Sequence, residues 1–152
     1  MRAVFTFFAV FGLDWGTKYW ANKKLPLNRK KEIARNRLYL WHIKNNGMAY
    51  HKFDGKRNGI LAFTGALLSI YSVLFVQALF EKNNKRPMMG MAMILGGGLG
   101  NFLERLLQGS VTDFLYIHKE GHNMPIFNIA DLAIMLGAIP LTMIPLFKNV
   151  KK

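Results

Sequence analysis

The feature that most constrains the fold is an apolar run from Asn58 to Phe80 that contains no Asp, Glu, Lys or Arg. As an α-helix rising about 1.5 Å per residue, this run would extend roughly 34 Å, enough to cross a bilayer core of about 30 Å. Hydrophobic residues make up 51% of the chain, which is more than most soluble domains need. We therefore predict that this run spans a membrane.

Three other stretches are nearly as apolar, and they cover residues 3–22, 88–107 and 127–147. The first carries Asp14 and Lys18 but ends without the small-residue cleavage site of a signal peptide, so an uncleaved helix is expected there. A chain of 152 residues has room for one domain. We predict a single integral membrane domain, 1–152, of the mainly α class, with four transmembrane helices at about 3–22, 58–80, 88–107 and 127–147.

The polar segment 23–57 lies between the first two predicted helices. Its residues 25–33 are expected to form a short surface helix. Residues 38–44 alternate at period two and are rich in aromatic and β-branched side chains, which predicts a strand. Residues 45–50 follow as a turn, and residues 51–54 are expected to return as a second strand of a small β-sheet at the membrane surface.

The net charge is +13, from 21 Lys and Arg against 8 Asp and Glu. Such an excess suits either nucleic acid or an anionic membrane surface. The clustering of the apolar residues favours the membrane, and no nucleic-acid partner is expected. Lys and Arg are more numerous in 23–57 and 108–123 than in the termini and the 81–87 loop combined. Charge alone leaves the orientation open, because the positive-inside rule weakens for longer segments.

Asp113 and Asp131 stand where apolar sequence meets polar sequence. An antiparallel return between two membrane helices would bring both carboxylates to one face of the bilayer, where ionisable groups are costly and usually functional. Two carboxylates in a partly desolvated site share a proton. The ionised one can then activate a water molecule while the protonated one polarises a carbonyl. The pair therefore predicts a proteolytic dyad.

Other catalytic sets are missing from the sequence. The segment 118–122, His-Lys-Glu-Gly-His, has its Glu in the wrong place for a zinc helix, and its Gly favours a loop. The chain has no Cys, so thiolate metal sites are excluded. The glycine-rich segment 96–100 lacks the Gly-Lys-Ser/Thr ending of a phosphate loop, and its spacing is typical of close helix packing in membranes. No Gly-x-Ser-x-Gly motif is present.

Structural roles also fit the acidic residues. Asp131 lies three residues after Asn128, as in a capped helix start. Asp113 could pair with Arg105. Asp14 and Lys18, at i and i+4, can neutralise each other on one helix face. These alternatives stay open on the residues alone.

Five motifs, taken together and in order, resemble those of the bacterial lipoprotein signal peptidases, also called signal peptidase II. The resemblance covers about residues 5 to 147. The motifs are Asp14-Trp-Gly-Thr-Lys18, Asn45-Asn-Gly47-Met-Ala49-Tyr50, Gly97-Gly-Leu-Gly-Asn101-Phe-Leu-Glu104-Arg105, Val111-Thr-Asp113-Phe114 and Phe127-Asn128-Ile-Ala130-Asp131.

The resemblance implies an intramembrane aspartic endopeptidase of the bacterial inner membrane. It would remove signal peptides from diacylglyceryl-modified prolipoproteins, cutting before the lipid-modified Cys. Both termini would be cytoplasmic, and the sheet and the active site would lie at the outer face. The protein would need no cofactor or metal and would act as a monomer on its prolipoprotein substrate within membrane lipid.

The resemblance also implies residue roles. Asp113 and Asp131 match the catalytic dyad, and Asp14 with Lys18 matches a pair of structural support. The positions that match substrate-binding or supporting residues are Asn45, Gly47, Asn101, Arg105, Asn128 and Ala130.

Some positions depart from the family pattern. They are Trp15, Met48, Tyr50, Glu104 and Met124, where Gln, Ala, Phe, Asp and Trp are usual. Glu104 keeps the charge but adds a methylene group. The departures leave open a divergent paralogue with a narrower substrate set. A small ion or solute transporter that uses its membrane carboxylates is a further alternative.

Overall fold

The computed structural model describes residues 1–47, 57–81, 87–122 and 124–149. Within these ranges the fold is mainly helical with a small antiparallel sheet, which confirms the predicted class at this level. The elements in chain order are α1 (Arg2–Lys24), β1 (Lys30–Ala34), β2 (Leu38–Asn45), α2 (Arg57–Phe80), α3 (Met88–Gln108), β3 (Val111–Ile117), β4 (Ile126–Phe127) and α4 (Ile129–Asn149).

Helix α3 is the centre of the bundle, because it contacts α1, α2 and α4. Glycines permit these close approaches. A Cβ placed on Gly96 would lie 2.7 Å from the Phe7 carbonyl oxygen of α1, and one on Gly97 would lie 2.6 Å from the Ala130 carbonyl oxygen of α4. The prediction that segment 96–100 serves close helix packing is therefore confirmed.

Helix α3 ends at a turn that starts the sheet. Gly109 adopts φ 80°, a left-handed conformation that glycine reaches without a Cβ clash. Its N–H donates to the Arg105 carbonyl at 3.0 Å. The chain then enters β3 only two positions later, so the strand is held against the end of α3.

The sheet has the order β1-β2-β3-β4, and every neighbouring pair is antiparallel. The predicted strand over 38–44 is confirmed as β2. In its pairing with β3, Ile43 lies opposite Asp113 and Asn45 lies opposite Val111. The second strand predicted over 51–54 lies outside the described residues, so β2 finds its described partners in β1 and β3.

The short surface helix predicted over 25–33 is wrong. After Pro26 the chain turns at Asn28, which has φ 59° and donates its N–H to the His42 carbonyl at 2.8 Å. Lys30–Ala34 then pairs with β2 as an edge strand. Pairing satisfies the outer backbone groups of β2, which a separate helix would leave open, so tertiary hydrogen bonding outweighs local propensity.

Within the described ranges, Arg57–Phe80 is the one helix whose length and composition suit a membrane crossing, and Ile129–Thr142 is a shorter apolar helix. Helix α1 carries Asp14 and Lys18, and α3 carries Glu104 and Arg105, all buried inside the protein. The count of four spans stays a prediction.

Candidate active site

Asp113 lies in β3 with both carboxylate oxygens bound. It is 2% exposed. Asn45 of β2 donates its side-chain N–H to Asp113 Oδ2 at 2.9 Å, and Asn128 donates to Oδ1 at 2.7 Å. The strand register brings Asn45 to this place, because Asn45 and Asp113 lie on the same face of the β2–β3 ladder.

Asp131 lies in the first turn of α4. Its N–H donates to Asn128 Oδ1 at 3.0 Å, and its Oδ2 accepts the backbone N–H of Asn128 at 3.1 Å. This reciprocal pattern is a helix cap, so the predicted capping role is confirmed. Asn101 of α3 also donates its side-chain N–H to Asp131 Oδ1 at 2.9 Å. The Asp131 carboxylate therefore caps its own helix, α4, and is also bound to α3.

Asn128 joins the two aspartates. Its side chain binds Asp113 while its backbone binds Asp131, and its amide nitrogen also lies 3.1 Å from Asn101 Oδ1. Asn128 is completely buried. Asn128 therefore binds one carboxyl group through its side chain and the other through its backbone N–H, and it holds both in one polar cluster at the junction of α3, β3 and α4.

Burial and, to a lesser extent, the nearby charge of Asp131 together raise the pKa of Asp113 to about 7. The hydrogen bonds from Asn45 and Asn128 oppose the shift, because they favour the ionised carboxylate. Near neutral pH, Asp113 can therefore hold or release a proton.

The expected alternative that Asp113 pairs with Arg105 is wrong. Among the described residues, Arg105 makes no hydrogen bond or ion pair with that carboxylate; its Nη2 donates to the Gly47 carbonyl at 2.9 Å. The Nε–H of Arg105 is buried without a described partner. The guanidinium thus holds the loop after β2 and keeps one donor unused beside the aspartates.

Asp14 and Lys18 form the predicted ion pair at 2.7 Å, and both are buried. The pair also reaches the candidate site. Lys18 Nζ donates to Asn101 Oδ1 at 2.6 Å, which orients that amide so that its N–H faces Asp131. Asp14 Oδ1 accepts the Ala130 N–H at 3.0 Å. The pair therefore fixes both the start of α4 and the amide that binds Asp131.

A second polar group, whose contacts were not predictable from the motifs that contain Glu104 and Thr112, anchors β3 beside Asp113. Glu104 accepts the Thr112 backbone N–H at 3.1 Å and the Thr112 hydroxyl. Lys44 donates to that hydroxyl oxygen at 2.8 Å, and Lys18 Nζ lies 3.3 Å from Glu104. An acid within an apolar helix was a signal for Glu104. The parts played by Thr112 and Lys44 depend on strand register, which the sequence does not reveal.

A cavity of about 590 Å³ lies beside the aspartates. Its polar wall contains five of the predicted site residues: Asn45, Asn101, Arg105, Asp113 and Asp131. Its apolar wall comes from α2, α3 and α4, with Ile60, Leu67, Leu68, Ile94 and Ile134 among the lining residues. Gly47, Asn128 and Ala130 support the polar wall through the hydrogen bonds described above.

Within the described residues, no group of three or more His, Cys, Asp or Glu could hold a metal ion. The His-Lys-Glu-Gly-His segment forms a turn in which Lys119 pairs with His122 and Gly121 has φ 72°. Two carboxyl groups, amide donors and an apolar cavity are what the described residues place together at this site.

Comparison with known proteins gives one family. A profile described as "Signal peptidase (SPase) II" matches residues 6–147. The chain is 33% identical over 135 residues to a lipoprotein signal peptidase of Clostridium novyi, covering 87% of this chain and 90% of that protein. It is 32% identical over 142 residues to one of Maridesulfovibrio salexigens, covering 90% and 89%.

Two solved structures have the same fold. A bacterial membrane enzyme determined by the in meso method at 2.3 Å resolution matches with a TM-score of 0.82 and 26% identity, over 99% of this chain and 90% of that one. A second, at 1.9 Å resolution, matches with a TM-score of 0.79 and 26% identity, over 95% and 92%.

Proposed function

This chain belongs to the signal peptidase II family of bacterial membrane proteases, which remove signal peptides from lipoprotein precursors, and we propose that it does so with an aspartic dyad. Its substrate is a diacylglyceryl-modified prolipoprotein, and the cut falls before the lipid-modified Cys. The observation that carries the proposal is that Asp113 and Asp131 line one cavity and share the Asn128 bridge.

The chemistry needs one proton shared between the two carboxyl groups. The ionised group takes a proton from a water molecule, whose oxygen attacks the scissile carbonyl carbon. The protonated group donates to the carbonyl oxygen as it gains charge. The tetrahedral intermediate then collapses, and the departing amine takes a proton from the dyad. The raised pKa of Asp113, about 7, supports a site that still holds this proton near neutral pH.

The surroundings suit a lipid-linked substrate. The apolar wall of the cavity can receive a signal helix or acyl chains that arrive sideways from the bilayer, so no wide aqueous cleft is required. Asn45 and Arg105 stand at the polar end of this wall, where their N–H groups can hold the extended peptide next to the dyad. Substrate binding thereby excludes bulk water from the site and leaves the water molecule that attacks the scissile carbonyl.

The membrane arrangement is part of the proposal. All four helices cross the inner membrane, both termini are cytoplasmic, and the dyad with its sheet lies at the outer face. The enzyme acts as a monomer. Asp14 and Lys18 of α1 and Glu104 and Arg105 of α3 are buried inside the protein. Their burial supports these two helices as spans, because lipid then meets mainly apolar side chains along the middle of each helix.

The test is cleavage of a diacylglyceryl-modified prolipoprotein by purified protein in lipid. We expect turnover by the native chain. In Asp113→Asn and in Asp131→Asn we expect the cleavage rate to fall at least about a thousandfold, since the single remaining carboxyl group cannot both take a proton from water and give one to the carbonyl oxygen. Glu120→Gln makes the same carboxyl-to-amide change at an exposed turn and should cleave normally. Retained cleavage in either dyad variant overturns the proposed mechanism. Cleavage of the unmodified precursor at an equal rate overturns the proposal that the substrate must carry the diacylglyceryl group.

A further inference from the structure

An exposed basic surface follows directly from the end of α1. Residues 23–37 contain seven Lys or Arg and one acidic residue, Glu32. All seven basic side chains are exposed. We name five of them the basic rim, which runs from the last residue of α1 through β1 to the turn that follows it: Lys24, Arg29, Lys31, Arg35 and Arg37.

Little within the protein neutralises this charge. Among the described residues, no ion pair involves the basic rim. The acid in its middle is partly occupied, because Glu32 Oε1 accepts the Asn36 backbone N–H at 2.7 Å. These like charges lie close together along the chain, before, within and after β1, and they repel one another, so external anions placed against the rim would stabilise it.

Lys30, the neighbour of the rim, is held in a ring of aromatic side chains. Its Nζ lies 3.9 Å from the ring centre of Tyr39, 4.5 Å from that of Tyr116 and 5.6 Å from that of Trp41. Such cation–π contacts hold the ammonium group over the rings. They also place tyrosine and tryptophan, which favour the membrane–water boundary, next to the rim.

The exposed apolar side chains around the rim point to the same boundary. Tyr19 and Trp20, near the end of α1, are 57% and 43% exposed, and Leu27 and Ile33 are 51% and 53% exposed. Water disfavours such a set beside five cations. At a bilayer surface the apolar groups enter the acyl region, while the Lys and Arg stems extend toward the headgroups.

We propose that the basic rim binds the phosphates of anionic phospholipids, such as phosphatidylglycerol, in the leaflet that surrounds the end of α1. The bound headgroups hold the outer edge of the sheet at the membrane surface. Since β3 belongs to the same sheet, this contact also sets the depth at which Asp113 meets a lipid-anchored substrate. An acidic peptide offers the same charge but gives no place to Trp20, Leu27 or Ile33, and lipid is therefore the better fit.

The test measures lipid contact without any cleavage, so its outcome is independent of the proposed function. The protein is placed in vesicles in which Trp20 is the sole tryptophan, through Trp15→Phe and Trp41→Phe. Phosphatidylglycerol or phosphatidylcholine carrying the same brominated acyl chains is added at equal fractions, and quenching is compared. Each surface cation changes the local concentration of an anionic headgroup about fivefold. We expect at least that preference for the anionic lipid, declining as salt is raised.

Two sets of variants and one control identify the residues. Lys24→Gln, Arg29→Gln, Lys31→Gln, Arg35→Gln and Arg37→Gln combined should bring the preference close to one. Lys24→Arg, Arg29→Lys, Lys31→Arg, Arg35→Lys and Arg37→Lys combined should keep it, and so should Arg2→Gln at the other end of α1. Equal quenching by the two lipids in the native protein overturns the proposal, as does a preference that survives the Gln set. So does displacement of the anionic lipid by a soluble acidic decapeptide, which would make the rim a peptide site.

Discussion

Gly97→Ala is the change that most directly tests whether contact between α3 and α4 sets the geometry of the dyad. A Cβ on Gly97 would lie 2.6 Å from the Ala130 carbonyl oxygen, and Cβ atoms essentially never come within 3.0 Å of another atom. The neighbour is backbone, so no side chain can rotate away. The start of α4 must move by roughly 0.5 Å, and Asp131 lies one residue beyond Ala130.

The size of the effect follows from that displacement. A catalytic group moved by about 1 Å costs roughly a hundredfold in rate, so half that distance should lower kcat about tenfold. Overpacking should also reduce the free energy of unfolding by about 1–3 kcal/mol. Both are measured on purified protein in one lipid, by prolipoprotein cleavage and by thermal unfolding.

Gly12→Ala is the matched control, since a Cβ there meets nothing within 4 Å. It should leave kcat unchanged and should not lower stability, because Ala favours a helix over Gly. If Gly97→Ala cleaves at the native rate, or if Gly12→Ala loses as much activity, the coupling between helix contact and dyad geometry is refuted.

The remaining predictions concern the proton and the support of β3. Because the pKa of Asp113 is raised to about 7, kcat should fall as pH rises through about 7 and the shared proton is lost; a flat profile to roughly pH 9 would contradict this. A raised folded-state pKa also contributes stability below the unfolded value of 3.8 that is lost as pH rises through about 7. The unfolding temperature should therefore fall between roughly pH 4 and 7 in the native protein and much less in Asp113→Asn. Lys44→Met removes the donor to Thr112 at 2.8 Å and to Gln108 at 3.1 Å; we expect a several-fold loss of kcat and about 1 kcal/mol of stability. Lys44→Arg should recover most of both, and equal behaviour of the two variants would show that the hydrogen bonds do not position β3.

Features that depend on neighbouring residues in the chain were predictable. The apolar run at 58–80 is a helix because uniform apolar sequence of that length has few other forms in a membrane. Asn128 and Asp131 cap α4 because the three-residue spacing alone brings side chain and N–H together. Asp14 and Lys18 pair for the same kind of reason, since a helical turn aligns positions four apart.

Features that depend on residues distant in the chain were not predictable from the sequence. Residues 30–34 form a strand because they pair with the backbone groups at the outer edge of β2. The sequence Lys-Lys-Glu-Ile-Ala by itself does not indicate that pairing. Glu104 binds Thr112 because the turn at Gly109 brings β3 back alongside α3.

The sequence by itself determined the helices, the cap of α4 and the two aspartates as the leading candidates, because spacing along one chain decides which groups a regular helix aligns. Only the tertiary structure decided that Asn45 and Asn128 bind Asp113 while Arg105 turns to Gly47. The physical reason is that a buried polar group takes whichever partner the packed backbone brings within about 3 Å. For Asp113, the register of β2 with β3 brings Asn45 within reach, and the approach of α4 to α3 brings Asn128 within reach. Neither arrangement is encoded in any local stretch of the sequence.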